Sequence, residues 1–174
     1  MTHVQRFRLT EDNAAAHAAA DQLFAVVRRA LEIVLPLETE ILHVGATAIP
    51  GCLTKGDLDI VVRVERQAFA IAEHCLAARF TRNGGSVRTD DFAAFQDDGR
   101  TPHLGIQLTL KGGPFDVFHR FAAAPRADPE LVARYNTLKR AHHDHPMTVY
   151  RAAKDAFIGD VLQSCPPSSS RDDG

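Results

Sequence analysis

The sequence predicts an α+β domain, a mixed β-sheet backed by helices, and three observations carry that prediction. Apolar residues recur at helical spacing near both ends of the chain. Short alternating apolar runs cluster in its middle. Glycines and prolines punctuate the boundaries between them. Strands clustered together, with helices before, between and after, suit one sheet covered by helices. The 174 residues are enough for one domain with a real core.

The elements follow in order. "LTEDNAAAHAAADQLFAVVRRALEIVLPLE" reads as a helix, with Thr10 as its cap and Glu11 and Asp12 favoured in its first turn. Leu23, Val27, Ala30, Leu31 and Val34 mark one apolar face, and Pro36 ends the run. "TEILHV" is a short strand, followed by a loop over residues 45–56. "DLDIVVRV" alternates: Leu58, Ile60, Val62 and Val64 share one face, and Asp57, Asp59, Val61 and Arg63 share the other. "ERQAFAIAEHCLAARF" is a second helix, and "TRNGGSVR" is a turn. Residues 87–101 hold at most one irregular strand. "PHLGIQLTL" and "PFDVFHRF" are expected to form a hairpin across "KGGP". Two helices close the fold, "DPELVARYNTLKRAHHD", with Pro129 at its first position, and "MTVYRAAKDAFIGDVLQ". The expected domain covers residues 1–163. The Pro- and Ser-rich residues 164–174 are expected to be a disordered tail.

Composition excludes several classes. With 20 Lys and Arg against 22 Asp and Glu, the net charge is -2, so no global basic field draws the chain to nucleic acid or anionic membrane. No apolar run is long enough to span a bilayer. The N-terminus has no apolar core of a secretory signal. Three widely spaced cysteines fit neither a disulfide framework nor a CxxC zinc site, and a reducing cytoplasm is the expected location.

Chemistry concentrates in "HVGATAIPGCLTKGDLDI". Residues i and i+2 on a strand point the same way, roughly 7 Å apart. Asp57 and Asp59 therefore project together, and two close carboxylates repel. A divalent cation relieves that repulsion. Magnesium takes oxygen ligands, typically one or two carboxylates plus substrate phosphates. Gly45 and Gly51 allow backbone N–H groups to approach a phosphate, Thr47 and Thr54 add hydroxyls, and Lys55 adds a charge. Asp116 is the candidate third acid. By spacing alone, the plainer account is an exposed Asp-x-Asp at a strand end beside an ordinary turn.

The same stretch resembles the signature of the GrpB family, H-V-G-S-T-A-[IV]-P-G followed by K-[GP]-x-x-D-[IL]. His43, Val44, Gly45, Thr47, Ala48, Ile49, Pro50, Gly51, Lys55, Asp59 and Ile60 match it. "YNTLKRA" and "YRAAKDAFI" resemble the family's C-terminal Tyr-x-x-Leu-Lys and Tyr-x-x-x-Lys-Asp patterns. The resemblance implies a nucleotidyltransferase-like fold and a metal-dependent transfer of a nucleotidyl group from a nucleoside triphosphate to an acceptor. It implies Asp57, Asp59 and Asp116 as metal-holding and catalytic residues with Mg2+ or Mn2+. Gly45, Ala46, Thr47, Lys55 and Lys154 become the phosphate-binding residues. A non-catalytic module binding a nucleotide or a CoA metabolite, or an interaction domain, is the alternative on the same fold. Two departures stand out: Ala46 replaces the Ser of the Gly-Ser pair, and "FAAAPR" replaces an aromatic-Arg-Asp segment. Asp57, conversely, completes an Asp-x-Asp that many members lack.

Other residues have competing accounts. His142, His143, Asp144 and His145 read as a solvated helix end rather than zinc ligands. His103 and His119 are expected on neighbouring strands, facing the cleft or buried in the core. Cys52 lacks an adjacent base and reads as a small loop residue. Lys139 and Arg140 are either a basic wall for an anionic ligand or an ordinary helix surface.

Overall fold

The computed structural model describes residues 4–165. Its core is a five-stranded mixed sheet in the order β1-β2-β5-β4-β3. The strands are β1 (Glu40–Val44), β2 (Leu58–Val64), β3 (Thr81–Arg82), β4 (Phe92–Asp97) and β5 (Leu104–Leu110). β2 runs antiparallel to β1 and parallel to β5, and β4 runs antiparallel to both β5 and β3. The helices are α1 (Asn13–Val34), α2 (Phe69–Ala77), α3 (Phe118–Ala127), α4 (Pro129–Ala141) and α5 (Met147–Ser164). The chain thus adopts the expected α+β architecture.

The alternation in β2 decides how the layers stack. Leu58, Ile60, Val62 and Val64 are all buried, and they join Leu104, Ile106 and Leu108 of β5 under α1 and α2. Leu31 of α1 and Leu76 of α2 fill this layer. Val61, on the opposite face, is equally buried because Phe118 and Ala122 of α3 cover it. Only the start of that second face, around Asp57 and Asp59, stays open.

Several local expectations need correction. Asp12, not Thr10, caps α1, its side chain accepting from the Ala15 N–H at 2.9 Å. The Thr10 N–H instead bonds the Thr54 carbonyl and ties the N-terminus to the loop. Residues 92–97 are a regular strand rather than an irregular one.

The largest correction is residues 114–121, which do not form the second arm of a hairpin. Gly112 takes φ +72° and the Gly113 N–H bonds Leu110 O, so the chain turns away from the sheet. It then winds into α3, whose Phe118, Phe121, Ala122 and Pro125 follow helical spacing, the last three of them buried. β5 instead pairs with β2 and β4. α5 extends through Ser164, which the sequence placed in the tail, and residues 166–174 of that expected tail lie outside the described residues.

Candidate functional site

A cleft of about 190 Å³ opens where β1 ends and β2 and β5 begin. Asp57 and Asp59 lie on one wall, with Gly45, Ala46 and Lys55 beside them. α4 and α5 form the opposite wall, bringing Tyr135, Lys139, Tyr150 and Lys154 to the same space.

Asp59 is held in a narrow slot. Its register partner on β5 is Gly105, and its partner on β1 is Val44. A methyl group on Gly45 would lie 2.6 Å from Asp59 Oδ2, and one on Gly105 would lie 3.0 Å from Oδ1. Gly45 also has φ +75°, which L side chains rarely adopt. The two glycines therefore let the carboxylate lie flat between neighbouring strands. Burial raises its pKa, Lys154 opposes that shift, and Asp57 adds to it. Lys55 and His103 pull the other way.

Asp57 is more open. Lys55 Nζ sits against its Oδ2, and His103 Nδ1 is 3.7 Å away. His103 Nε2 is 2.8 Å from Asp98, so this histidine stands at the rim beside Asp57. Gln107, two residues beyond Gly105 on the same face of β5, lines the cleft too. Its buried Oε1 has no hydrogen-bond partner.

The loop 45–56 is fixed from both sides. Asn13 of α1 donates to Cys52 O and accepts from the Thr54 N–H. Asn136 of α4 accepts from the Leu53 N–H at 2.7 Å and donates to Gly51 O at 2.9 Å. Lys139 is 1% exposed, donates to Leu53 O, and holds its Nζ 3.3 Å from Cys52 Sγ and 4.0 Å above the Tyr135 ring. Burial pulls its pKa down to about 8 and pushes the Cys52 thiol up. The N-terminal segment closes the apolar end: Phe7 stacks on Tyr150 with ring centroids 3.6 Å apart.

Of the residues singled out in the sequence, Gly45, Ala46, Lys55, Asp57, Asp59 and Lys154 line this one cleft. The structure does not bring Asp116 to them. Asp116 lies at the far end of the sheet, where Arg63 grips it at 2.6 and 2.7 Å and the Gly112 N–H donates to it. Arg63 is four residues beyond Asp59 along β2, roughly 13 Å. Asp116 is thus displaced because its segment is a turn into α3 rather than a strand beside β2.

Thr47 is also turned away. It is 2% exposed, and its hydroxyl bonds His43 Nε2 at 2.9 Å and the Asp57 carbonyl at 3.0 Å. His119 lies on α3 beside Asp116, 3.4 Å from its Oδ1, not on a strand. The 142–145 cluster is the α4–α5 turn, where the Asp144 N–H and His145 O pair with the backbone of Phe7.

Sequence reasoning missed Tyr135, Tyr150, Gln107 and Phe7. A signal existed for the tyrosines. Tyr135 and Lys139, like Tyr150 and Lys154, are spaced i, i+4 and so share a helix face. The same spacing places Lys139 inside the cleft rather than on a solvated surface.

The Asp57 and Asp59 carboxylates that line the cleft are hard oxygen donors of the kind magnesium takes. Among the described residues no three His, Cys, Asp or Glu side chains converge as a metal cluster.

Fold and site together define a mixed-sheet α+β domain with an Asp-x-Asp cleft facing lysines from its C-terminal helices. The profile of the GrpB protein family matches residues 7–164, and the chain belongs to this family. A UPF0157 protein of Vibrio cholerae is 31% identical over 146 residues, covering 83% of this chain and 77% of that one. The crystal structure of the conserved protein GrpB from Enterococcus faecalis is similar in fold, with a TM-score of 0.62 at 18% identity over 84% of this chain and 92% of that chain. The Cid1 poly(U) polymerase with MgGTP bound is similar at a TM-score of 0.49 and 12% identity, over 75% of this chain and 41% of that chain. Among the described residues no helix is long and apolar enough to cross a membrane.

Proposed function

We propose that the cleft binds a nucleoside triphosphate through one magnesium or manganese ion held by Asp57 and Asp59. Lys55, Lys139 and Lys154 meet the phosphate charge, and Tyr135 and Tyr150 border the less polar part of the ligand. The observation that carries this reading is the enclosure of Asp59. A carboxylate whose burial raises its pKa costs stability, yet it lies between two glycines that make room for it and faces three lysines. The bound ion would supply charge neutralisation and polarise a phosphate oxygen.

Asp116 is no part of this site. The reading is therefore a one-cation nucleotide-binding domain. The second reading, nucleotidyl transfer to an acceptor, is favoured by Lys139, an amine on the cleft whose pKa burial lowers to about 8, nearer the range that suits proton transfer.

The test is thermal stability with nucleotides and CoA precursors, in magnesium, manganese or chelator, for the wild type and Asp59→Asn. Ligand at a hundred times its dissociation constant adds about 2.7 kcal/mol. The expected stabilisation needs the cation and is lost in Asp59→Asn, which without ligand melts no lower than the wild type. Stabilisation that survives Asp59→Asn, or none with any nucleotide, overturns the proposal. Pyrophosphate release on adding candidate acceptors separates transfer from binding.

A further inference from the structure

We infer that Lys55 is a built-in stand-in for the cation, which the metal must displace and which then passes to the ligand's phosphates. This inference rests on the nucleotide-binding reading and adds an order of events to it.

The geometry carries it. Lys55 Nζ lies against Asp57 Oδ2, on the carboxylate that with Asp59 would hold the ion. Its backbone is fixed close by. The Gly56 N–H donates to the Thr54 hydroxyl at 2.9 Å, and Gly56 takes φ +105°. The side chain is not fixed: it is 39% exposed, and Asp57 is its ion-pair partner among the described residues. Lys154, also on the cleft, has no carboxylate within 4.0 Å among the described residues and acts on Asp59 only through its field. His103 Nδ1, 3.7 Å from Asp57, is the other basic group facing this carboxylate.

An ion pair with one exposed and one half-buried partner is weak, equivalent to about fivefold in an equilibrium. A divalent ion drawing on both carboxylates breaks it easily. The freed ammonium, tethered two residues from Asp57 at the rim, then adds to the positive field of Lys139 and Lys154. Cation and polyphosphate must therefore assist each other, each tightening the other by the same factor.

The experiment is Mn2+ binding to the full chain, followed by paramagnetic resonance with and without inorganic tripolyphosphate. Wild type, Lys55→Met and Lys154→Met are compared. Lys55→Met is expected to tighten Mn2+ alone by about two- to fivefold, the range set by a weak competing pair. It is also expected to lower, severalfold, the factor by which tripolyphosphate tightens Mn2+. Lys154→Met removes the same charge without an ion pair and tightens Mn2+ alone less. Unchanged or weaker Mn2+ binding by Lys55→Met overturns the stand-in and leaves the nucleotide-binding reading intact. Equal tightening by both variants also overturns it, because mere charge then explains the effect. Absence of Mn2+ binding by the wild type overturns both readings.

Discussion

At Gly45 a single missing methyl group decides where the Asp59 carboxylate can lie. Gly45→Ala is expected to cost about 1–3 kcal/mol for its extended backbone at positive φ alone (φ 75°, ψ -174°), before the 2.6 Å approach to Asp59 Oδ2 is counted. It is expected to weaken Mn2+ binding as well, which chemical denaturation and a cation titration check together. Asp116 is the contrasting residue, because it is paired with Arg63 away from the cleft. Asp116→Asn leaves Arg63 with Glu40 alone and is expected to cost on the order of 3 kcal/mol while leaving Mn2+ affinity unchanged. Although burial raises the Asp116 pKa, Arg63 and the Gly112 N–H hold it below the ordinary 3.8. Its stabilisation is therefore fully present above that value and is lost as the pH falls through the lower folded value. The gap between wild type and Asp116→Asn should close in that acid window in denaturation series. Asp57 and Asp59 were legible because period-two alternation is a local property of β2. The place of Asp116 was not, because its partner Arg63 is 53 residues away in sequence.

Among the elements, β2 and β5 hold the site and are also the best protected. Ile60, Val61, Val62 and Ile106 are each 0% exposed, and both strands are paired on two sides. Their amides are expected to exchange last in native-state hydrogen exchange, while the exposed two-residue β3 at the sheet edge exchanges first. Early exchange in β2 would show that the sheet does not hold the Asp pair rigidly. Most helices were readable from their caps and spacing. α3 was not, because "PFDVFHRF" satisfies both periods over a few residues: Phe115 and Val117 alternate, while Phe118, Phe121, Ala122 and Pro125 follow a helix. What settles the choice is packing: β4 takes the place beside β5, and α3 covers Val61 with Phe118 and Ala122.

Across the whole molecule, two apolar layers lie on opposite faces of the sheet, and the cleft is a gap in the second. α1 and α2 fill the first layer, and Phe121, Tyr135, Phe157 and Val161 form the main cluster of the second. The glycine loop and Asp pair were legible because they are contiguous in sequence. The opposite wall was only half legible, because the i, i+4 pairs reveal a face of α4 and α5 without revealing what it faces. The stacking of Phe7 on Tyr150 spans nearly the full length of the chain, and Lys154 lies later still. During synthesis, a nascent chain still lacking α5 carries the glycine loop and both aspartates but no enclosed pocket. The cleft is thereby completed only in chains whose α5, the last of the described helices, has emerged.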